Sequence, residues 1–562
     1  MAEQIRINID APQRTVRIIT LGCKANQYDS GALMDAFREA GFVPYEASAA
    51  TMPKGAALPQ GDAAMPNGTS AMPNGTSAMP ATAEQGPAVV VVNTCAVTGE
   101  SERKCRQAIR RARALHPGAV LAVVGCYSQR AREAVVAIGG VDIVAGTDGQ
   151  QRIVQEAVAM LGSGAEPQPT PQPTPQPAPP PLPRPAPHDA TDIAAPGADN
   201  NQGGLDACQD MPPGRTRALL KIQDGCQRRC SYCIIPDVRG PSRSRDAADI
   251  IREATALAER GVREIVLTGI HISSFGLDKA DPHSNPHSHP DPGPNLNLNP
   301  NLNLNPYSNP HPCPRPDPRP RPCPRLRLGE LIAAIADAAS GTTLRRLRLS
   351  SLDPADVTPA FVGELTLSRG ILCPHFHLSL QSGSASVLRR MNRRYSPESF
   401  LAAAALLRGA FPSAALTTDV IVGFPGETDA EFGETLALCR EAAFSMVHVF
   451  KYSPRPGTPA AAMGGQVAAP AKAARAKLLL ALADELSAAY NGRFVGQTVS
   501  VLIESSRPAT QGGSVWVEGT TAHYVKARAK MPSSQAPRPG DLCDMLAVSA
   551  EHRGTVLLCY LS

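Results

Sequence analysis

The stretch KIQDGCQRRCSYCIIP, residues 221–236, sets Cys226, Cys230 and Cys233 in one short turn. It overlaps an apolar run, TRALLKIQDG (216–225), that reads as a β-strand. Zinc ribbons and fingers take four ligands from paired C-x2-C units, and no second pair follows here at ribbon distance. Three thiolates suit a cubane 4Fe-4S cluster instead, since each cluster iron normally takes one Cys thiolate. One iron then lacks a protein ligand and is free for a small molecule, as an open metal position is in a catalytic site.

Five further strand-like runs follow: EIVLTGIHI (264–272), LRRLRLSS (344–351), HFHLSLQSG (375–383), LTTDVIVGF (416–424) and MVHVFKYS (446–453). Helical patterns separate most of them: 246–261, 328–340, 396–411 and 428–444. The pattern predicts a six-strand partial (β/α) barrel, with function at the carboxyl ends of its strands. Gly269, Ser351, Gln381, Ser382, Gly383 and Asp419 fall there.

Upstream, RTVRIITLG (14–22), AVVVVN (88–93), AVLAVVG (119–125) and VDIVAG (141–146) alternate with helical patterns at 29–42, 99–116 and 128–139. Apolar strands alternating with helices predict a parallel sheet covered on both faces. Cys23 follows the first strand, Cys95 the second and Cys126 the third. Ligands gather at such strand ends, so the three thiols are expected to converge. Independently buried thiols would not repeat the position. Cys105, inside the basic helix, reads as structural. Downstream, 492–504, 512–529 and 540–561 read as short strands with Gly-marked turns, hence a small all-β barrel. Trp516, Tyr524, Lys526 and Arg528 are its candidate RNA contacts, although Trp516 reads more readily as core.

The chain has 562 residues, enough for several domains, and a net charge of +5, which permits a nucleic-acid partner without demanding one. There is no apolar leader and no run of about 20 apolar residues, so the expectation is a cytoplasmic protein without a membrane partner. In that setting the 14 cysteines are read as metal ligands, catalytic thiols or core residues rather than disulfides. The 55 prolines concentrate in three low-complexity segments, 47–86, 162–212 and 278–325, expected to be disordered. The expected domains are an α/β unit at 14–161, a Pro-rich linker at 162–212, a barrel at 213–460, a connecting helix at 461–490 and a β-barrel at 491–562.

The Cys226-x3-Cys230-x2-Cys233 spacing resembles the signature of radical S-adenosylmethionine (SAM) enzymes. That resemblance implies that these cysteines hold a 4Fe-4S cluster whose free iron chelates SAM, and that Tyr232 lies beside the cofactor adenine. It also implies that Gly269, Ser351, Gln381 and Asp419 help to hold SAM.

The order of the three domains, with LGCKANQYDS (21–30), NTCAVTGESERKCRQAIRRA (93–112), CIIPDVRGPSRSR (233–245) and LTGIHISSFG (267–276), resembles the radical SAM methylthiotransferases. Their isopentenyladenosine branch has GCQMN at the first site and their ribosomal-protein branch GCPKN; Lys24 and Ala25 fit neither. The motifs look like the threonylcarbamoyladenosine branch (MtaB type).

The resemblance implies a second 4Fe-4S cluster on Cys23, Cys95 and Cys126, and a C-terminal TRAM domain that contacts substrate. The implied reaction adds a methylthio group to C2 of N6-threonylcarbamoyladenosine at tRNA position 37, next to the anticodon. One SAM methylates a sulfur at the second cluster and another is cleaved to a radical. An aromatic C–H resists acid–base chemistry, which is why a cofactor must carry that step. The implied partners are the tRNA anticodon stem-loop, SAM, an electron donor and a sulfur source. Arg103, Lys104, Arg106, Arg110, Arg111 and Arg113 are candidate phosphate contacts. The alternatives are the same chemistry on isopentenyladenosine tRNA or a ribosomal protein, and a non-catalytic iron–sulfur protein that binds RNA.

Overall fold

The computed structural model describes residues 14–45, 86–162, 216–278, 326–368, 370–509, 513–551 and 556–561. The three low-complexity segments lie outside these residues, apart from their end positions. No helix among the described residues is long and apolar enough to cross a membrane.

The first unit runs β1 (Thr15–Thr20), α1 (Lys24–Glu39), β2 (Val43–Pro44), β3 (Val89–Thr94), α2 (Gly99–Leu115), β4 (Val120–Gly125), α3 (Cys126–Arg130), α4 (Arg132–Val136), β5 (Ile143–Val144) and α5 (Gln150–Gly162). All pairings are parallel and the sheet order is β2-β1-β3-β4-β5. In β3, Val90 and Val92 enter one apolar cluster and Val89 and Val91 the other. Burial on both faces is why this strand is an unbroken valine run rather than an alternating one. The two-residue β2 was not legible as a strand. Strand order reverses between β1 and β3, the switch point where doubly wound sheets open a crevice at their carboxyl ends. Cys23 and Cys95 stand there.

The second unit runs β6 (Ala218–Lys221), β7 (Gln223–Asp224), α6 (Ile235–Arg239), β8 (Arg243–Ser244), α7 (Ala247–Glu259), β9 (Glu264–Thr268), α8 (Leu328–Ala338), β10 (Arg346–Leu349), β11 (Ser351–Leu352), α9 (Pro359–Thr366), β12 (His375–Leu378), α10 (Ala385–Arg390), α11 (Pro397–Ala410), β13 (Ala415–Val422), α12 (Asp429–Ala442), β14 (Met446–Lys451) and α13 (Pro459–Ala462). Parallel sheets β10-β9-β6 and β11-β12-β13-β14 meet where one strand breaks at Ser350, so the six expected strands form a partial barrel. Leu347 and Leu349 face the helices in the main core. Arg346 and Arg348 alternate with them and are buried.

Helix α14 (Ala469–Gly492), about 36 Å long, packs along β14 and covers that edge. It leads into β15 (Thr498–Pro508), β16 (Ser514–Thr521), β17 (Lys526–Pro532), β18 (Leu542–Glu551) and β19 (Val556–Leu561), which close into a barrel. Bulges at Ile503/Ser505 and Ala547/Ser549 bend its two longest strands.

This last barrel seats against the amino ends of the larger barrel's strands. Arg346 donates to Ser500 O and Thr520 O, and Arg348 to Thr521 O and Ala522 O. Glu264, at the start of β9, pairs with both arginines. Tyr524, in the β16–β17 turn, stacks on His375 with ring centroids 4.5 Å apart. In this structure it is therefore a docking residue, where its sequence suggested an RNA contact. Trp516 lies half-buried outside the apolar core, beneath the Arg528 guanidinium at 4.7 Å. At the opposite end of the barrel, α2 meets the segment after β14 through Gly99 N to Ser453 Oγ and the Arg455–Glu102 ion pair. The α/β unit thus covers the carboxyl ends of the barrel strands.

Candidate functional site

Helix α1 starts immediately after β1, with Cys23 as its N-cap, so Asn26 stands on its first turn. The Asn26 Nδ2 donates to Leu21 O and Thr94 O, at 2.9 Å each. One amide therefore ties the loop before Cys23 to the loop before Cys95. Its Oδ1 lies 3.8 Å from Cys23 Sγ and 4.0 Å from Cys126 Sγ. A Cβ placed on Gly22 would stand 2.8 Å from Cys95 Cβ and 3.1 Å from its Sγ, at a φ of +111°; only glycine lets the two loops approach so closely. The three strand-end thiols do converge.

Cys95 and Cys126 are buried, and burial pushes their thiols up to about 11 and about 12. Such sulfurs give up their protons when a metal replaces them. Cys105 is also buried and hydrogen-bonds the Cys95 backbone, accepting from N at 3.3 Å. That contact fits the structural role expected of it.

The second triplet lies on the loop after β7. Gly225 turns the chain there at a φ of +70°, and a Cβ would stand 1.9 Å from Pro241 O. Arg228 N points at Cys226 Sγ at 3.4 Å, and Arg393 Nη1 at Cys230 Sγ at 3.4 Å. Donors aimed at sulfur favour thiolates and tune any cluster they hold. Burial pushes Cys233 up to about 12. The loop is clamped from across the barrel by Ser231 N to Met391 O and Asn392 Nδ2 to Arg229 O. Asp353 pairs with Arg228 and Arg393. Burial works against the Asp356 charge, but hydrogen bonds from His271 and Ser273 hold its carboxyl at about 2.

Both triplets fit a cluster rather than a single ion. Thiolates on one zinc sit about 2.3 Å from it, so their sulfurs crowd together. Among the described residues, the groups whose ligand atoms all lie within 4.8 Å of one another are His377–Asp419–His448 and His271–Asp353–Asp356. The cysteine triplets are more open, as one thiolate per iron requires.

The two triplets face one junction. Ile234, next to Cys233, and Val238 pack in the same apolar cluster as Cys95 and Cys126. Arg239, at the end of α6, is buried and donates to Asn26 Oδ1 at 2.6 Å, Asp29 at 3.0 Å and Asp224 at 2.8 Å. Lys221 bridges the same Asp29 and Asp224, at 2.5 and 3.1 Å. Each buried charge is matched, which is what makes such a network tolerable. Nothing in the single sequence marked Arg239, Arg393 or Lys221; only their partners' positions in space give them meaning.

The remaining expected residues line the barrel mouth. Tyr232 is half-buried against Val387, Met391, Phe424, Tyr452 and Ala460. Gly269 follows β9, where Gln223 Oε1 accepts from Ile270 N and His271 N. Ser351 is exposed and in register with His377. Gln381 holds a φ of +63°, with its N–H on Asp419 O at 2.8 Å. A non-glycine residue in that conformation is a cost kept where geometry matters. Burial opposes the Asp419 charge, but the His377 hydrogen bond holds its carboxyl below the usual range. Sequence reasoning missed His377 and His448.

On α2, Arg110 and Arg111 are exposed, and Arg103 and Lys104 are exposed beside Glu100. Arg106 reaches toward Tyr127. Arg113 differs: it is tied to Gly140 O, Pro117 O, Ala119 O and Asp142, so it braces the fold.

Residues 220–277 and 313–439 match the radical SAM superfamily, and residues 72–146 match an uncharacterized protein family, UPF0004. A threonylcarbamoyladenosine tRNA methylthiotransferase (MtaB) of Bacillus subtilis (strain 168) is 32% identical over 91% of this chain and 89% of its own length. A protein of the same name from Thermotoga maritima is 30% identical over 87% of each chain. A tRNA-2-methylthio-N(6)-dimethylallyladenosine synthase of Frankia alni is 28% identical over 96% of this chain and 87% of its own.

Proposed function

The chain belongs to the radical SAM methylthiotransferases, and on that premise we propose that it converts N6-threonylcarbamoyladenosine at tRNA position 37 to its 2-methylthio derivative, using two 4Fe-4S clusters. The observation that carries this reading is the meeting of two thiol triplets at one junction, joined by Ile234 and Arg239. Cys226, Cys230 and Cys233 would hold the cluster that binds SAM, and Cys23, Cys95 and Cys126 the second. When bound, these groups supply the electron, the radical and the sulfur.

The protein's own residues do the holding and aiming. Asn26 and Arg239 fix the first triplet against the barrel. Arg393 and Arg228 N present donors to the second. Tyr232, Gly269, Ser351, Gln381 and Asp419 are proposed to seat SAM over it. Val238, Ile234 and Tyr127 keep water from the junction. Lys104, Arg110 and Arg111, exposed on α2, would hold anticodon-loop phosphates.

The test uses anaerobically reconstituted protein with SAM, reductant, sulfide and tRNA bearing threonylcarbamoyladenosine. Mass spectrometry of the digested tRNA should reveal the 2-methylthio nucleoside, and Cys230→Ala and Cys126→Ala should each abolish it. Formation of 5'-deoxyadenosine with unmodified tRNA would mean the substrate is wrong, and isopentenyladenosine tRNA is then the next one to try. Neither product from protein with both clusters intact would overturn the catalytic reading.

A further inference from the structure

Lys24 is the first residue of α1 and directly follows Cys23. Its side chain is half-buried. Among the described residues its ammonium makes no ion pair and no side-chain hydrogen bond. The cations around the junction are paired. Lys221 and Arg239 share Asp29 and Asp224, Arg245 has Glu253, Arg228 has Asp356, Arg393 has Asp353, and Arg455 has Glu102.

Helix geometry fixes where Lys24 faces. It stands one turn before Tyr28, on the same side of α1. Tyr28 is buried against the barrel, touching Glu253, Arg245 and Lys221. Lys24 is therefore on the barrel-facing side, one turn nearer the thiols. Its charge is felt by Asp419 and His375 on the inner strands. Asp419 is engaged by His377 at 3.3 Å, within a cluster that includes His448. A partly desolvated cation with no contact ion pair, beside a reactive centre, attracts an anion and disfavours an apolar group.

The substrate proposed above has such an anion. In N6-threonylcarbamoyladenosine the N6 substituent ends in a carboxylate, whereas an isopentenyl group is a neutral hydrocarbon. N6 and C2 both lie on the Watson–Crick edge of adenine, flanking N1. A residue that reads the N6 substituent should therefore sit close to the sulfur that goes to C2, and Lys24 is the neighbour of Cys23.

We propose that Lys24 pairs with the threonyl carboxylate of the target nucleoside and so selects it over nucleosides with an apolar N6 group. This inference rests on the substrate assignment above. Lys24 is a specificity residue: it touches substrate, and the chemistry at C2 does not pass through it.

The experiment compares full-length wild type, Lys24→Met and Lys24→Arg on three anticodon stem-loops. These carry threonylcarbamoyladenosine, its threonyl methyl ester, and isopentenyladenosine. RNA affinity is measured without SAM, and KM and kcat with it; iron and sulfide content are measured in each protein. K24M should weaken binding and raise KM for the carboxylate RNA about 10–100-fold, the range of one charge-assisted contact. The methyl ester should bind wild type and K24M alike, K24R should recover part of the loss, and iron content should not change.

Equal loss by K24M on acid and ester, or unchanged affinity for the acid, overturns the role of Lys24 while leaving the substrate assignment standing. Wild type that modifies only the isopentenyl RNA overturns both. If K24M loses iron, Lys24 supports the cluster loop instead, and the specificity proposal falls.

Discussion

At the scale of single residues, the site depends on positions where one extra atom or one lost donor matters. Gly225 is the sharpest case. Its left-handed backbone alone costs about 1–2 kcal/mol in any other residue, and a Cβ would overlap Pro241 O at 1.9 Å. If the Cys226–Cys233 loop holds a cluster as proposed, Gly225→Ala should lose most of that iron while iron proposed for the α/β triplet stays. Iron per chain and the Mössbauer or EPR signal of the reconstituted protein measure this, and wild-type iron content would refute it. The grouping of the six thiols into two triplets was legible because each triplet follows a rule, one a tight spacing and the other a repeated strand-end position. Asn26, Arg239 and Arg393 were not legible as site residues. Their partners lie 68, 213 and 163 residues away in sequence, and a lone Arg or Asn has no period or spacing to betray it.

At the scale of elements, local chemistry sets the starts that frame the mouth. Helix α12 begins after the segment that follows β13, with Thr428 Oγ1 accepting from Glu431 N at 3.2 Å and Glu431 Oε2 accepting from Thr428 N at 2.8 Å. Hydrogen bonds from Arg390 hold the Glu431 carboxyl at about 2, against burial. Thr428→Ala should cost about 1 kcal/mol, seen as a lower urea midpoint for the barrel; no change would mean that Arg390 alone anchors that turn. The six barrel strands were legible from their apolar runs. The break at Ser350 and the start of α1 at Lys24 were not. The first comes from the way two sheets meet, and the second from a helix whose opening turn, KANQ, is too polar to show amphipathic periodicity.

At the scale of the whole molecule, the seat of the last domain is the main departure from what the sequence suggested. A small β-barrel with an aromatic and basic surface invited an RNA-facing reading, yet its β16–β17 turn is spent on the base of the larger barrel. Which face of a domain docks is a tertiary fact, and Tyr524 reads the same in either role.

The docked face carries two histidines. Burial holds His523 down at about 4, helped by Arg348, Arg493 and Arg346 nearby. Burial also holds His375 well below its ordinary value, helped by Arg348, Lys24, His377 and Arg217. Glu264 and Glu504 sit in the same interface below their usual range, despite burial, because Arg348, Arg217 and Arg346 face the first and Arg217 and Lys526 the second. Both histidines are neutral when docked and have a pKa of about 6.5 when unfolded. Docking is thus fully stable above about pH 6.5 and weakens as pH falls toward 4, by at most about 1.4 kcal/mol per pH unit for each histidine. Thermal melts or limited proteolysis from pH 7.5 to 4.5 should show the C-terminal barrel loosening first, and His523→Gln should flatten the slope. A slope unchanged in that variant would remove His523 from the account.

The arginine-rich base of the barrel has a consequence for biosynthesis. Arg346 and Arg348 find their acceptors at Ser500, Thr520, Thr521 and Ala522, which are made well after the barrel strands they brace. A ribosome adding 5–20 residues per second needs about 5–20 s to travel from β13 to the β16–β17 turn. Throughout that interval the nascent barrel has two guanidiniums answered mainly by Glu264 and open to water from below. Its walls can assemble before its floor is laid. The order of translation thereby leaves the barrel yielding at its base until the β16–β17 turn has been made and can dock there.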